Sequence, residues 1–286
     1  MGAQAQQTTN AVQPRLSERR SGLRVYQRVL VGGLRTACVS RGQLGGLMVG
    51  DCLAARGGKR APKLVFASNG HSVALAAMDP EFRRQLSQAD LIHADGGPIV
   101  FASKLLTNSP VPERSATTDF IYDAAGAAQQ HGLKFYLLGS TEEINAKCTE
   151  NLQKAYPGVE IVGRRNGYFT QDDEAQICDE INRSGADVVW VGLGVPLEYA
   201  LCLRNKARLR VGWIVTCGGC FNFAAGQYVR APQWMQNVGL EWLHRLWREP
   251  KRLFWRYLIT NPIAITMLIL NTTSLKPGVV QAEAAR

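Results

Sequence analysis

Phe135-Tyr136-Leu137-Leu138-Gly139-Ser140-Thr141 is the stretch whose reading decides the fold. Four consecutive apolar residues suit a strand buried on both faces, and the glycine turn leads directly into a helical pattern over Glu142–Tyr156. The same unit recurs along the chain. Strand-length apolar runs stand at Leu64-Val65-Phe66, Leu91-Ile92, Val159-Glu160-Ile161-Val162, Val188-Val189-Trp190-Val191 and Trp213-Ile214-Val215. Helical stretches separate them, over Ser72–Ala77, Asp119–His131, Asp173–Arg183 and Glu198–Leu209. Short β-rich runs alternating with helices predict an α/β fold, a Rossmann-like, mostly parallel sheet with helices on both faces. Phe66-Ala-Ser-Asn-Gly70 and Val191-Gly-Leu-Gly194 also end in glycine turns. In such sheets ligands bind outside the carboxyl ends of the strands, where backbone N–H groups at helix starts can hold phosphate oxygens. A glycine at a strand end is also, more simply, a tight turn.

Outward from this core, the 286 residues divide into a polar tail over 1–25, an α/β domain over 26–228 and a C-terminal appendage over 229–286. The tail lacks the apolar core that a signal peptide requires. Arg28–Thr36 carries a short apolar run, and Gln43–Arg56 reads as a helix weakened by Gly45 and Gly46. Hydrophobic residues make up 46% of the chain, enough for a packed core and against wholesale disorder. The net charge of +10 favours an anionic partner: a nucleic acid, a phospholipid surface or a phosphorylated substrate. Seven cysteines are scattered through apolar or helical segments, and Cys217-Gly-Gly-Cys220 is the only close pair. No second such pair and only four histidines accompany it, so reduced structural thiols and a cytoplasmic setting are expected rather than a metal or redox centre.

The appendage changes character. From Arg230 to Arg256 it carries Arg230, Arg245, Arg248, Lys251, Arg252 and Arg256 against Glu241 and Glu249, interleaved with tryptophans. Helical spacing places Trp234, Leu240, Leu243 and Trp247 on one side, the pattern of an amphipathic helix lying on a membrane surface. Tyr257–Leu270 is apolar, interrupted at Asn261-Pro262, and shorter than the roughly 20 residues of a spanning helix. A surface element is expected there, with a helix folded onto the core as the alternative.

The chemistry concentrates in Ala89-Asp-Leu-Ile-His-Ala-Asp95-Gly96-Gly-Pro-Ile-Val100. A short apolar run delivers Asp95 to a glycine-rich turn, where it can act as general base on a hydroxyl or cap the next helix. Pro112-Glu-Arg114-Ser-Ala-Thr-Thr118-Asp119 adds a guanidinium whose planar fork suits a diphosphate, while Asp119 reads best as a helix cap. No Asp-x-Asp sequence suggests a metal-bridged diphosphate.

Taken together these stretches resemble the TagA/WecG/CpsF family, glycosyltransferase family 26. The resemblance runs through Ala89-Asp90…Asp95-Gly96, Glu113-Arg114…Thr118-Asp119, Leu138-Gly139 and Val162-Gly163…Gly167-Tyr168-Phe169. It continues through Val191-Gly-Leu-Gly-Val-Pro196 and Cys217-Gly-Gly-Cys-Phe-Asn-Phe223…Gly226. It closes on Arg230-Ala-Pro232…Leu240-Glu-Trp242…Arg245…Glu249-Pro250, the most distinctive part. The resemblance implies a metal-independent, inverting transfer from a UDP-sugar, of N-acetylmannosamine or glucose type, to a polyprenyl-diphosphate-linked sugar. It implies no cofactor and a site at the inner face of a bacterial plasma membrane, against anionic lipid. Asp95 matches the family's proposed base, Asn69 an asparagine near the donor, and Arg114 a substrate-binding arginine. Arg245, Arg248 and Arg252 match appendage arginines thought to close over a diphosphate. Gly96, Thr118, Gly139, Gly194 and Glu198 complete the expected substrate-binding set. Two departures stand out: Ala67 replaces a family threonine, and Pro196-Leu-Glu198-Tyr199 replaces a motif that usually carries an amide.

A dinucleotide-binding oxidoreductase is disfavoured, because no Gly-x-Gly-x-x-Gly follows a first strand with an acidic residue about 20 positions on. A non-catalytic nucleotide- or nucleic-acid-binding protein is the remaining alternative, motivated by charge but without a nucleic-acid motif. Homo-oligomerisation is left open.

Overall fold

The computed structural model describes residues 26–56 and 60–275, so the tail expected over 1–25 lies outside the described residues. Among the described residues nine strands follow in chain order: β1 Arg28–Val31, β2 Leu34–Ala37, β3 Lys63–Ser68, β4 Leu91–Ala94 and β5 Lys134–Gly139. β6 Glu160–Arg165, β7 Val188–Gly192, β8 Trp213–Thr216 and β9 Thr273–Ser274 complete them. Six form one wholly parallel sheet in the order β4-β3-β8-β7-β5-β6. The fold is the α/β, helix-covered parallel sheet that the alternating runs foretold.

Period-two alternation fills both faces of this sheet. Leu64, Phe66, Val189, Val191 and Ile214 enter one buried cluster, while Val65, Val188, Trp190, Trp213 and Val215 enter the other. The chain lays β4 outside β3 and β6 outside β5, then fills the centre with β7 and β8. Its carboxyl-end loops therefore converge from both halves of the sheet on one crevice, as the topological rule for open sheets requires. Gly139 marks the tightest approach there. It has φ of 139°, and a Cβ on it would lie 2.3 Å from the Gly192 carbonyl oxygen.

The Arg28–Thr36 run folds as a hairpin, β1 against β2, turning on Gly32 and Gly33 at φ of 57° and 84°. Only residues free of a Cβ enter that conformation without strain. β9 joins this hairpin on the other side of β1.

The appendage departs from expectation in two ways. Its Arg/Trp-rich part is not one amphipathic helix but two short ones, Gln233–Asn237 and Glu241–Arg248, separated by Gly239 at φ of 76°. The apolar end is not interrupted at Asn261-Pro262 either: a single 21-residue helix runs from Pro250 to Leu270, through Pro262. That length and composition are enough to cross a membrane. Both of its ends nevertheless belong to the α/β body. Leu253, Thr260, Ala264 and Leu268 are its buried residues, and Ala264 packs close to Gly70 at the start of helix Gly70–Met78. Beyond its end, the Asn271 carbonyl accepts from Gly33 N–H at 2.8 Å and Thr272 Oγ1 from Gly32 N–H at 3.0 Å. The helix is a strap across the domain with one apolar side left outward: Trp255, Leu258, Ile259, Ile265 and Ile269 are all exposed.

Candidate active site

The carboxyl ends of β3, β4, β5, β7 and β8 and the appendage enclose a cleft of about 550 Å³. Asn69, Asp95, Gly96, Arg114, Gly194, Arg245 and Arg252, all expected from the sequence, line it. Thr118, Gly139, Glu198 and Arg248 do not. Arg248 points to solvent, and Gly139 lies beneath the floor, packed on Gly192.

Asp95 is the first residue beyond β4, and its carboxylate is held from three sides. Oδ1 accepts from the Thr117 N–H at 2.8 Å and the Thr117 hydroxyl at 3.2 Å; Oδ2 accepts from Asn69 Nδ2 at 3.1 Å. The threonine that touches it is Thr117, the neighbour of Thr118, which was expected in the substrate-binding set and does not line the cleft. Thr117 opens helix Thr117–His131, so its N–H is unpaired within the helix and free to donate. Asp119 lies in that first turn without capping it and pairs instead with Arg230 at 2.7 Å. Burial pushes the Asp95 carboxyl up, but the Arg114 guanidinium, the Thr117 N–H, His93 and Asn69 outweigh it and hold it below the usual aspartate range. Asp95 is a fixed anion at neutral pH. Oδ2, with a single donor, keeps a lone pair for a further one.

Asn69 serves two elements at once. Its Oδ1 caps helix Gly70–Met78 by accepting from Ser72 N–H at 3.1 Å, which leaves Nδ2 for Asp95. Arg114 lines the cleft, but its fork is engaged: Nε donates to the Asp95 carbonyl at 2.7 Å and Nη2 pairs with Glu241 at 2.7 Å. It ties the Asp95 turn to the appendage. With Arg230 to Asp119, it is one of two ion-pair latches holding the appendage over the cleft.

The roof is cationic. Arg245, Arg252 and Arg256 line it, with His71 below them at the start of helix Gly70–Met78. Burial, then crowding by Arg252 and Arg245, lowers the Arg256 guanidinium from its ordinary value. Burial and Arg256 bring His71 down to about 4. Helices Gly70–Met78 and Gly97–Leu106 both start at the cleft without an acidic residue in their first turns. Positive charge crowded onto itself beside two helix N-termini makes an anion receptor. His71 and Arg256 were not singled out from the sequence; their partnership needs the strap folded back onto helix Gly70–Met78.

The expectation that Gly194 offers its N–H to phosphate meets an obstacle. That N–H donates to Glu198 Oε2 at 3.0 Å, as does the Gly218 N–H at 3.0 Å. Glu198 lies under the floor, 2% exposed. The two departures from the family pattern meet there as well, the Tyr199 hydroxyl donating to the Ala67 carbonyl at 3.1 Å. Cys217 and Cys220 are free and buried, and burial pushes both thiols well above their ordinary values, as inert core thiols require.

A parallel sheet presents an ionised carboxylate beneath a cap of guanidinium groups, which defines an α/β protein with a cationic cleft at the carboxyl ends of its strands. The chain belongs to the glycosyl transferase WecG/TagA/CpsF family, whose model matches residues 31–277. It is similar to the N-acetylglucosaminyldiphosphoundecaprenol N-acetyl-beta-D-mannosaminyltransferase of Bacillus spizizenii, 30% identical over 71% of this chain and 77% of that protein. It is also similar to the protein of the same name from Bacillus subtilis, 28% identical over 71% of this chain and 78% of the relative. The matched stretch takes in Val31, the turn and β2 of the hairpin, and the whole of the strap. The chain is accordingly a transferase of sugars.

Proposed function

We propose that the protein moves an N-acetylmannosamine-type sugar from a UDP-sugar to a sugar carried on polyprenyl diphosphate, with inversion and without a metal. The names of both relatives support the acceptor and the sugar. The observation that carries the reading is Asp95: an ionised carboxylate with a free lone pair on Oδ2, on the floor of a cleft roofed by arginines. The acceptor hydroxyl oxygen bonds to the anomeric carbon on one face, and the bond to the UDP β-phosphate oxygen breaks on the other. The hydroxyl proton passes to Asp95. Arg245, Arg252 and Arg256 stabilise the charge that develops on the departing diphosphate.

A lipid-borne acceptor has to reach this cleft from a bilayer, and we read the strap as the contact. Its exposed apolar side lies beside helix Gly97–Leu106, which itself exposes Phe101 and Leu105 at 69% each. The appendage's cations add roughly 1 kcal/mol each near an anionic leaflet, before salt screening. The enzyme then works at the inner face of the membrane without crossing it.

The test is Asp95→Asn, which preserves shape and removes the base. Turnover should drop by about 100- to 10,000-fold while UDP-sugar affinity stays within a few-fold. A variant with near-native turnover removes Asp95 from the reaction.

A further inference from the structure

Resting on the reading of the cleft as a UDP-sugar site, we infer that Glu198 is a positioning residue. Its buried carboxylate straps the loops after β7 and β8 into one floor under the donor diphosphate. Oε2 receives the N–H groups of Gly194 and Gly218, both at 3.0 Å, and the Leu193 N–H also hydrogen-bonds the carboxyl. These loops leave different strands, and among the described residues the last backbone bond between them runs from Cys217 N–H to the Val191 carbonyl at 2.8 Å, before either loop reaches Gly194 or Gly218. Gly194 has φ of 81° and Gly218 of 51°, conformations that turn each N–H inward to the carboxylate. The opposite sides of the same loops, at Gly194, Gly218 and Gly219, face the cleft. A glutamate at this position therefore shapes the floor without touching what lies on it.

The strap also carries a titration into the site. Burial, only partly offset by the three N–H donors, pushes Glu198 up to about 7, and the negative charge of Asp95 adds to the rise. The other titratable groups that feel it are Tyr199 and Cys202 on its own helix and Cys217 after β8. Burial raises all three well above their ordinary values, so they are neutral at pH 7 and supply no compensating charge. Above pH 7 the strap becomes an anion beneath a site meant for a diphosphate, and like charges oppose one another there. Donor binding should therefore favour protonated Glu198 and weaken as pH rises.

The experiment has two arms. In the free protein with ¹⁵N-glycine labelling, the Gly194 and Gly218 amide signals should titrate together with a midpoint near 7, and Glu198→Gln should abolish that titration. In steady-state kinetics, wild-type donor KM should rise above the Glu198 midpoint, by at most about tenfold for each pH unit. The Glu198→Gln curve should stay level from pH 6 to pH 8.5, because an amide oxygen can still accept the N–H groups without ionising. Glu198→Ala should raise donor KM at every pH by more than it lowers kcat. Amide signals that fail to titrate, or a Glu198→Gln variant with the wild-type KM profile, overturn the inference. Absence of any UDP binding by wild type overturns the donor reading instead, while the amide titration still decides whether the strap exists.

Discussion

Asn69 joins two duties that substitution can separate. As a cap it satisfies Ser72 N–H; as a donor it holds Asp95 Oδ2. Asn69→Ala removes both, with about 1 kcal/mol lost from the helix start. Asn69→Asp keeps the cap but sets a second carboxylate against Asp95, which raises that group's pKa more strongly than loss of a hydrogen bond does. The sign is fixed by the native arrangement. Asp95 is held below its ordinary value, so its stabilising interactions are present above the unfolded-state pKa and fade as pH falls through the folded one. The acid limb of kcat should therefore move to higher pH in Asn69→Ala and further in Asn69→Asp. An acid limb that moves further in Asn69→Ala than in Asn69→Asp contradicts this account. Asp95 was legible in the sequence because it ends an apolar run beside glycine, and Asn69 through the family resemblance. Thr117 was not: whether it or Thr118 meets the aspartate depends on which residue opens the helix, a difference of about 100° around the axis.

At the scale of elements, the sheet was readable because strands buried on both faces must be apolar, as β7 is throughout and β5 is beyond Lys134. What holds them in step at the site is a pair of glycines. Gly139→Ala places a Cβ 2.3 Å from the Gly192 carbonyl oxygen in a backbone conformation that alanine avoids. The variant should lose about 2–4 kcal/mol of unfolding free energy, read as a lower urea midpoint with an unchanged slope. A midpoint within error of wild type would mean that the two strands can separate freely at their ends. The appendage was less legible for a physical reason. Its composition is amphipathic throughout, and only the left-handed turn at Gly239 and the break at Glu249-Pro250 divide it into separate helices. Pro262 had the opposite effect: it reads as a helix breaker, yet the strap passes through it, with Thr260 and Ala264 buried on either side and the strap packed on helix Gly70–Met78. Tertiary contact overrode local preference there.

The whole molecule carries +10, and its appendage sets part of that charge beside an apolar face. The two contributions to membrane affinity can be told apart, because charge attraction is screened by salt and apolar burial is not. Trp247 and Trp255 are the test residues, 85% and 67% exposed, and neither lines the cleft. Burying a large apolar side chain is worth about 1.5–3 kcal/mol, so removing two partly buried ones should lower liposome partitioning by at least about tenfold. We expect the double variant Trp247→Ser/Trp255→Ser to leave anionic vesicles at physiological salt, yet to be partly retained at low salt by its arginines. Its UDP affinity should stay within about threefold, since the cleft loses no lining residue. Activity on a short-chain, water-soluble acceptor should persist, while activity on acceptor embedded in vesicles should fall with the bound fraction. If vesicle binding survives both substitutions at physiological salt, the exposed tryptophans of the appendage are not what meets the lipid.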